Sequence, residues 1–408
     1  MYIKGMHEHL SIPDVLVVGA GPAATSIAAA CADRGLSVSG VAPHIEAAWK
    51  PIYGAWIDEL IELPESIIAH TWAAASVHTP THRRLERPYT RLSTPALQSW
   101  LLSRCGAIPW HRGSAAHLTH ADTHSTLTLR SGQSLRGRVV IDATGAGVLL
   151  ENHPAPAAWQ TACGQLISVR GGHPWPLDEI GLMDFRGEAS PPTFLYAQPL
   201  DAERVFVEET SLIHRSALSN TALRHRLTGR LAAMGVVPDA VHHEEACRIQ
   251  MLGPRPIIGQ RAVGFGASAG MVHPATGYLL ARVLGEADDI ASALSRGLSI
   301  GPAHAAAAAW AALWPAPRQR QWALYRFGAQ ILCDLDPEST RRFFWSFFQI
   351  DPLLWQGFLS AALPPAGLAQ AMASVFASAP ASTRRRLMSA GMSAPGFDLL
   401  RGLVLNSP

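Results

Sequence analysis

The chain has little that would bind it to a metal, an oxidising compartment or a bilayer core. Among its 408 residues are five cysteines, Cys31, Cys105, Cys163, Cys247 and Cys333, odd in number and scattered. No Cys-x-x-Cys spacing occurs, so neither a zinc site nor a disulfide framework is expected, and the thiols read as reduced ones of a cytosolic protein. Charged residues make up 16% of the chain and the formal net charge is +2, which provides no electrostatic ground for nucleic-acid binding. The short run Arg384-Arg385-Arg386 reads as a solvated helix face. No apolar run reaches the roughly 18–20 residues that span a bilayer. Ala305 to Trp314 comes nearest and is closed by Pro315. The N-terminus does not read as a signal peptide, because its first apolar run is a β-strand preceded by His7, Glu8 and His9. Internal repeats, low-complexity linkers and Asp-Gly dipeptides are also missing.

What is present begins at Asp14. Val15 to Val18 read as a short buried strand. Gly19 and Gly21 allow a tight turn and a close backbone approach to a pyrophosphate, with Pro22 in the same loop. Ala24 is the small residue where the following helix must pack on the strand. A helix expected from about Ala23 to Arg34 would direct free N–H groups and a positive dipole end at the phosphates. Gly35 suits its C-terminal stop, and Leu36 to Val41 read as the next strand. The strand–turn–helix–strand context predicts an FAD or NAD site. One element departs from the pattern: the ribose-binding acid expected near the end of the second strand is replaced by Val41-Ala42-Pro43. Either Glu46 reaches back or the ribose is held otherwise.

The rest of the chain divides by pattern. Residues 1–48 form the FAD-binding βαβ unit. Residues 49–137 form a first substrate or cap segment, with strands and loops over 71–91, a helix over 94–105 capped by Thr94 with Pro95 at its first position, and a hairpin over 117–138 turning at Ser131-Gly132. Residues 138–158 return to the nucleotide fold through a strand ending at Asp142-Ala-Thr144-Gly145. Residues 159–252 are strand-rich, with a helix near 221–234, and read as a substrate sheet. Residues 253–300 re-enter the nucleotide domain through a strand over 262–265 and a helix starting near Thr276–Gly277. Residues 301–408 are helical and aromatic. The fold class is therefore α/β: a Rossmann-like FAD-binding domain of the glutathione-reductase/hydroxylase type, a β-rich substrate domain and a helical C-terminal region.

Five blocks in this order resemble the FAD-containing lycopene cyclases of plants, cyanobacteria and some other bacteria. They are Gly19-Ala-Gly-Pro-Ala-Ala24, Tyr53-Gly-Ala-Trp-Ile-Asp-Glu-Leu60, Arg87-Pro-Tyr-Thr-Arg91, Phe194-Leu-Tyr-Ala-Gln-Pro with Phe206-Val-Glu-Glu-Thr-Ser-Leu212, and Gly270-Met-Val-His-Pro-Ala-Thr-Gly-Tyr278. The resemblance covers nearly the whole chain. Departures are conservative: Val207 stands where Leu is usual, Thr90 where plant enzymes have Gly, and Ala42 in place of the plant-type acid.

The resemblance implies a reaction with no net redox change that still requires reduced FAD, with NAD(P)H as reductant. The linear ends of lycopene, or of a related linear carotenoid, close into six-membered rings, by default β rings. It also implies a peripheral membrane surface on a cytoplasmic protein. Such a cyclisation needs an acid in an apolar pocket, a stabiliser of transient positive charge, and a base. Glu208 and Glu209 sit on a predicted strand, so they point to opposite faces, and register alone does not say which faces the polyene. Desolvation would hold that carboxyl protonated, while the other would meet an arginine or a backbone group. Asp58 and Glu59 form a second acidic pair that would assist the proton transfer or close the site, and equally suit a helix start. Tyr53, Trp56, Tyr196 and Phe206 are candidate substrate-binding aromatics, with plain core packing as the other reading of each. His273 is a candidate beside the flavin, or a satisfied structural histidine. Gly270, Met271, Thr276 and Gly277, with Asp142, Thr144 and Gly145, complete the expected cofactor contacts; no metal site is expected. The aromatic C-terminal helices, from Phe343 to Leu359, read as a lid and as an entry surface for an apolar substrate. The main competing class is an FAD-dependent monooxygenase acting on an apolar substrate, followed by a non-catalytic carotenoid carrier. Against the first stand Gly266-Ala267-Ser268 in place of a Gly-Asp-Ala motif and the missing Asp-Gly segment.

Overall fold

The computed structural model describes residues 12–60, 63–187, 190–391 and 399. His7, Glu8 and His9 lie outside the described residues. Val15–Val18 is the buried centre of a five-stranded sheet. Val139–Asp142 pairs with it on one side and Val38–Ala42 on the other. Val263–Gly264 and Trp110–Arg112 form the edges, and every pairing is parallel. Val15, Val17, Val140 and Ile141 are all essentially inaccessible. Strands buried on both faces read as continuous apolar runs rather than alternating ones, as this one does.

The helix after the glycine loop spans Pro22–Asp33, starting at proline, whose missing N–H costs nothing there. The strand expected over 262–265 shortens to Val263–Gly264 and runs into a 3-10 turn, Gly266–Ala269. The next helix starts at Leu280, not near Thr276–Gly277, which remain in a turn where Gly277 has φ +75°. The helix Thr94–Arg104 is capped not by Thr94 but by Ser93, whose Oγ accepts from Ala96 N–H at 3.4 Å. Thr94 Oγ1 instead donates to the Pro51 carbonyl at 2.7 Å. Both residues are good caps, and the tertiary partner at Pro51 decides between them.

The expected segment 49–137 does not stay together. Its hairpin is a three-stranded sheet, Ala115–His120, Ser125–Leu129 and Ser134–Gly137. Leu127 and Leu129 pack on Leu16, Val18, Val41 and Val140, so this part belongs with the nucleotide-binding sheet. Ala74–His78 and His82–Leu85 instead form one edge of a seven-stranded sheet. Next come Glu179–Asp184, Thr193–Pro199, Arg204–Ser211, Ala158–Ser168 and Ala240–Leu252, in that spatial order. One face of this large sheet is covered by the helix Asn220–Ala233, whose Leu227 and Leu231 pack on Ile167, Leu195, Val205 and Val207. The other face looks into the interior.

The C-terminal region consists of the helices Pro302–Leu313, Ala316–Leu332, Pro337–Phe347, Pro352–Leu359, Pro365–Ser378 and Ala381–Gly391. Proline sets most of these starts, and Asp336 and Asp351 accept from the first-turn N–H groups of Ser339 and Leu353. Phe347, Phe348 and Trp355 close over Trp56, Tyr89 and Ile180, which joins this region to the seven-stranded sheet through Ile180. No helix among the described residues is long and apolar enough to cross a membrane.

Leu280–Leu298 and Pro302–Leu313 touch backbone to backbone at Gly297, where an added Cβ would meet Ala305 Cα at 2.4 Å. Main chain cannot swing aside as a side chain can. Gly297→Ala is expected to destabilise by about 1–3 kcal/mol, lowering the thermal unfolding midpoint, measured by circular dichroism.

Candidate active site

A cavity of about 1530 Å³ opens between the two sheets and the C-terminal helices. Single small-ligand pockets run to about 300–1,000 Å³, so this one has room for a dinucleotide and part of a second molecule. At one end lie Gly19, Gly21 and Pro22, with Thr144, Gly145, Gly270, Thr276 and Gly277 beside them. Gly19 has φ +129°, and a Cβ there would meet Ala143 O at 2.5 Å and Ala24 Cβ at 3.3 Å. Gly21 is the opposite case, with nothing within 4 Å of its missing Cβ. It caps the helix without a side-chain hydrogen bond, so the first-turn N–H groups are left for an anionic ligand. The open space over Gly21, the uncapped helix start and the crowding at Gly19 fit a pyrophosphate such as that of FAD.

Three expected cofactor residues do not line this groove. Ala24 is fully buried and serves the helix–strand contact against Gly19. Asp142 is fully buried and its carboxylate is occupied: it accepts from Thr144 N–H, Thr144 Oγ1 and Ser268 Oγ at 2.7–3.0 Å and from Leu149 N–H at 2.8 Å. It shapes the loop that carries Thr144 and Gly145. Met271 is buried, with its sulfur accepting from Gly266 N–H at 3.1 Å. Glu46 does not reach back toward a ribose either. It is 82% exposed and lies 3.5 Å from Arg112.

At the other end the wall is the inner face of the seven-stranded sheet. Glu208 faces the cavity and Glu209 the opposite side, as alternation on Arg204–Ser211 requires. Glu209 is 0% exposed beneath the helix Asn220–Ala233, where Arg230 donates to both its oxygens at 2.7 and 2.9 Å and Thr193 Oγ1 donates at 2.5 Å. Among the described residues no cation pairs with Glu208. Thr210 Oγ1 donates to it at 2.6 Å, and the surface it exposes is cavity wall. Burial, offset in part by the Thr210 bond and reinforced by the negative charge of Glu245, pushes its carboxyl up to about 7. Tyr196 and Phe206 line the cavity beside it, as does Tyr53.

The second acidic pair divides in a similar way. Glu59 lines the cavity, and burial pushes its carboxyl up to about 7 although Arg87 donates to it at 2.9 Å. Asp58 points outward at 55% side-chain exposure and holds the other side of the Arg87 guanidinium. Trp56 is not a cavity residue: it is wholly buried, edge-on to Tyr89 at 5.0 Å, with the Arg87 guanidinium 4.5 Å over its ring. Tyr89 does reach the cavity and holds Tyr278 at 3.4 Å, hydroxyl to hydroxyl.

His273 takes the structural reading. Its ring is buried among Trp322, Tyr325 and Phe358. Nδ1 accepts from Ala275 and Thr276 N–H at 3.2 Å, which leaves the proton on Nε2, facing Phe358 O at 3.2 Å. Burial drops its pKa to about 3. The neutral ring ties the turn Pro274–Gly277 to the C-terminal helices and presents no group to the cavity.

Sequence reasoning passed over Glu245. It lies on Ala240–Leu252, where Glu245, Cys247 and Ile249 share the cavity face. The period-two pattern was available, but Glu244-Glu245 reads as the solvated start of a strand, and only the sheet order turns Glu245 toward the cavity. Arg91, reaching Gln198 Oε1 at 3.4 Å, is the neighbouring cation.

Comparison with known proteins agrees with this architecture. Residues 14–385 match the family model described as lycopene cyclase protein. The lycopene beta cyclase of Capsicum annuum is 35% identical over 93% of this chain and 81% of its own length, and that of the Oncidium hybrid cultivar 36% identical over 96% and 86%. A neoxanthin synthase of Solanum tuberosum is 36% identical over 86% of this chain and 75% of its own. Among solved structures, a geranylgeranyl bacteriochlorophyll reductase-like protein of Thermoplasma acidophilum superposes with a TM-score of 0.66 at 15% identity, covering 93% of this chain and 99% of its own. A probable FAD-dependent monooxygenase of Pseudomonas aeruginosa gives a TM-score of 0.55 at 15% identity, covering 81% and 99%. These two show the fold alone, that of the FAD-dependent monooxygenase and reductase type of flavoprotein. With the family model spanning nearly all of the chain and relatives above 30% identity along most of it, the protein belongs to the lycopene cyclase family.

Proposed function

We propose that this protein closes the linear ends of lycopene, or of a related linear carotenoid, into β-ionone rings by acid-initiated carbocation chemistry. The observation that carries the reading is Glu208: a carboxyl on the wall of a cavity, with no paired cation among the described residues, raised by burial to about 7. Protonating an unactivated C=C bond needs a desolvated neutral acid rather than a carboxylate. Glu208 gives its proton to the terminal double bond. The tertiary cation then takes the π electrons of the next double bond, which closes the ring, and a ring proton leaves to restore a C=C bond.

The surrounding residues serve that path. Tyr196 presents aromatic surface to the cavity beside Glu208, with Phe194 and Phe206 backing the wall, which suits both an apolar polyene and transient positive charge. Phe344, Phe348 and Leu359 bring the C-terminal helices to the same cavity and shield it from water. Glu59 is a second neutral-capable acid on the wall, and Asp58 positions it through Arg87. Gly19, Gly21, Pro22, Thr144, Gly145, Gly270, Thr276 and Gly277 would hold the FAD. When bound and reduced, the flavin supplies negative charge beside the developing cation without a net change of redox state. NAD(P)H is the reductant in this reading. A peripheral membrane surface is the source of a water-insoluble substrate, and Leu353, 77% exposed on Pro352–Leu359, suits such a contact.

Four outcomes are expected. In lycopene-accumulating cells, the wild-type chain yields β-carotene or γ-carotene and Glu208→Gln yields a folded, flavin-loaded protein with no cyclic product. Glu209→Gln strands the buried Arg230 charge and costs about 3–5 kcal/mol, seen as loss of soluble protein or a lowered melting midpoint; cyclic product lost from Glu209→Gln alone would reassign the acid. A carboxyl raised to about 7 is protonated below that pH and ionised above it. The rate of cyclisation in vitro should therefore fall as pH rises through about 7. Oxygen-electrode traces with NAD(P)H and lycopene should show no uptake stoichiometric with product, whereas stoichiometric uptake would establish the monooxygenase alternative.

A further inference from the structure

The acid has a facing partner that the family resemblance did not single out. Tyr196, Glu208, Gly164 and Glu245 are directly opposed neighbours on four adjacent strands, so they form one row across the sheet. Residues in one row of an antiparallel sheet share a face, and Tyr196, Glu208 and Glu245 all line the cavity. Between the two glutamates stands Gly164. A Cβ there would meet the Phe206 ring at 2.4 Å and Glu208 Oε2 at 3.4 Å. The missing side chain thus lets the Phe206 ring lie down between the two carboxyls. Two strand spacings put their backbones about 10 Å apart, and the Arg91 guanidinium lies 5.8 Å from the centre of the Phe206 ring between them. An acid and a base that work on opposite sides of one sugar ring need a comparable gap, about 6.5–9.5 Å between carboxyl groups.

We propose that Glu245 is the base that removes the ring proton, acting across the Phe206 ring from the acid Glu208. This inference rests on the cyclase reading above. The surroundings of the two glutamates divide the roles. Glu208 accepts one bond from a neutral hydroxyl, Thr210. Glu245 accepts from Ile52 N–H, at 3.1 Å to the nearer oxygen, and has Arg91 as its neighbouring cation. Both influences favour its ionised form against the burial that raises it. The remaining titratable groups close to it are Tyr53, Cys247 and Glu208. Burial, reinforced by the two glutamates, pushes the Cys247 thiol up to about 12, and burial with Glu245 and Cys247 pushes Tyr53 up to about 12, so neither competes as a base. Two carboxyls whose environments separate their proton affinities are the usual mark of an acid–base pair.

The step balances as follows. The carboxyl proton of Glu208 forms a C–H bond with the π pair of the terminal double bond. The π pair of the next double bond forms the ring C–C bond. Glu245 takes a proton from the ring carbon, and the C–H pair becomes the new double bond. The proton then returns from Glu245 to Glu208 through water once product leaves, so no proton or electron is consumed.

The test compares purified flavin-reduced wild type, Glu208→Gln, Glu245→Gln and Glu245→Asp on lycopene in detergent, reading rate against pH and product identity. Wild type should show two limbs, rising as Glu245 ionises and falling as Glu208 does. Glu245→Gln should lose about 10²-fold or more in rate, lose the rising limb but keep the falling one, and release water-trapped alcohol or misplaced double-bond isomers. Glu245→Asp should restore part of the rate with the rising limb displaced. Glu245→Gln with wild-type rate, product and both limbs, beside an inactive Glu208→Gln, would overturn this inference and leave the cyclase reading standing. Wild type that forms no ring at all would overturn both. If Glu245→Gln does not hold flavin, Glu245→Asp decides: a displaced rising limb supports the base, and an unmoved one overturns it.

Discussion

Two consecutive glutamates on one buried strand impose the constraint around which the seven-stranded sheet is organised. Neither carboxyl can be left in low dielectric as a lone charge, because desolvating it costs several kcal/mol. The strand sends them to opposite faces, and each face solves the problem differently. Beneath the sheet, Glu209 is fully paired with Arg230 and Thr193, which clamps the helix Asn220–Ala233 onto the strand. On the cavity side, burial raises the Glu208 carboxyl to about 7, which favours its neutral form. The register fixes which carboxyl faces the cavity, since a slip by one residue would exchange them.

The nucleotide half meets a constraint of another kind, close backbone approach. Gly19 and Gly297 sit where main chain comes against main chain, and Gly21 sits where space must stay open. The buried carboxylate of Asp142 then gathers Thr144, Leu149 and Ser268, so that the second loop keeps its shape beside the groove. His273 does the same for the turn Pro274–Gly277, tying it to Phe358 in the C-terminal helices. Neither residue reaches the cavity. Both hold the loops that do, which explains how they fall inside characteristic motifs without touching a ligand.

Much of the fold was legible because local rules acted alone. The apolar run Val15–Val18, the glycines after it and the proline that opens the helix need no distant partner to be read. The opposed faces of Glu208 and Glu209 followed from the strand period. Legibility failed where a residue had two local roles and a distant neighbour chose between them. Ser93 and Thr94 are both caps until Pro51 takes the Thr94 hydroxyl. Trp56 is a cavity aromatic or a core aromatic until Arg87 and Tyr89 enclose it. Glu46 is near enough in sequence to serve a ribose, yet it lies in solvent beside Arg112.

By itself the sequence determined the α/β class, the glycine loop, the family and the acidic strand, because each is written in residues close together in the chain and in a period of two or 3.6. Tertiary structure alone decided which glutamate faces the cavity and what stands opposite it. Glu208 and Glu245 are 37 residues apart in the chain. They share one row only because the strand carrying Gly164 lies between theirs, and that order is set by which faces bury well against which. Strand order is a property of the whole packed sheet, and no local pattern encodes it.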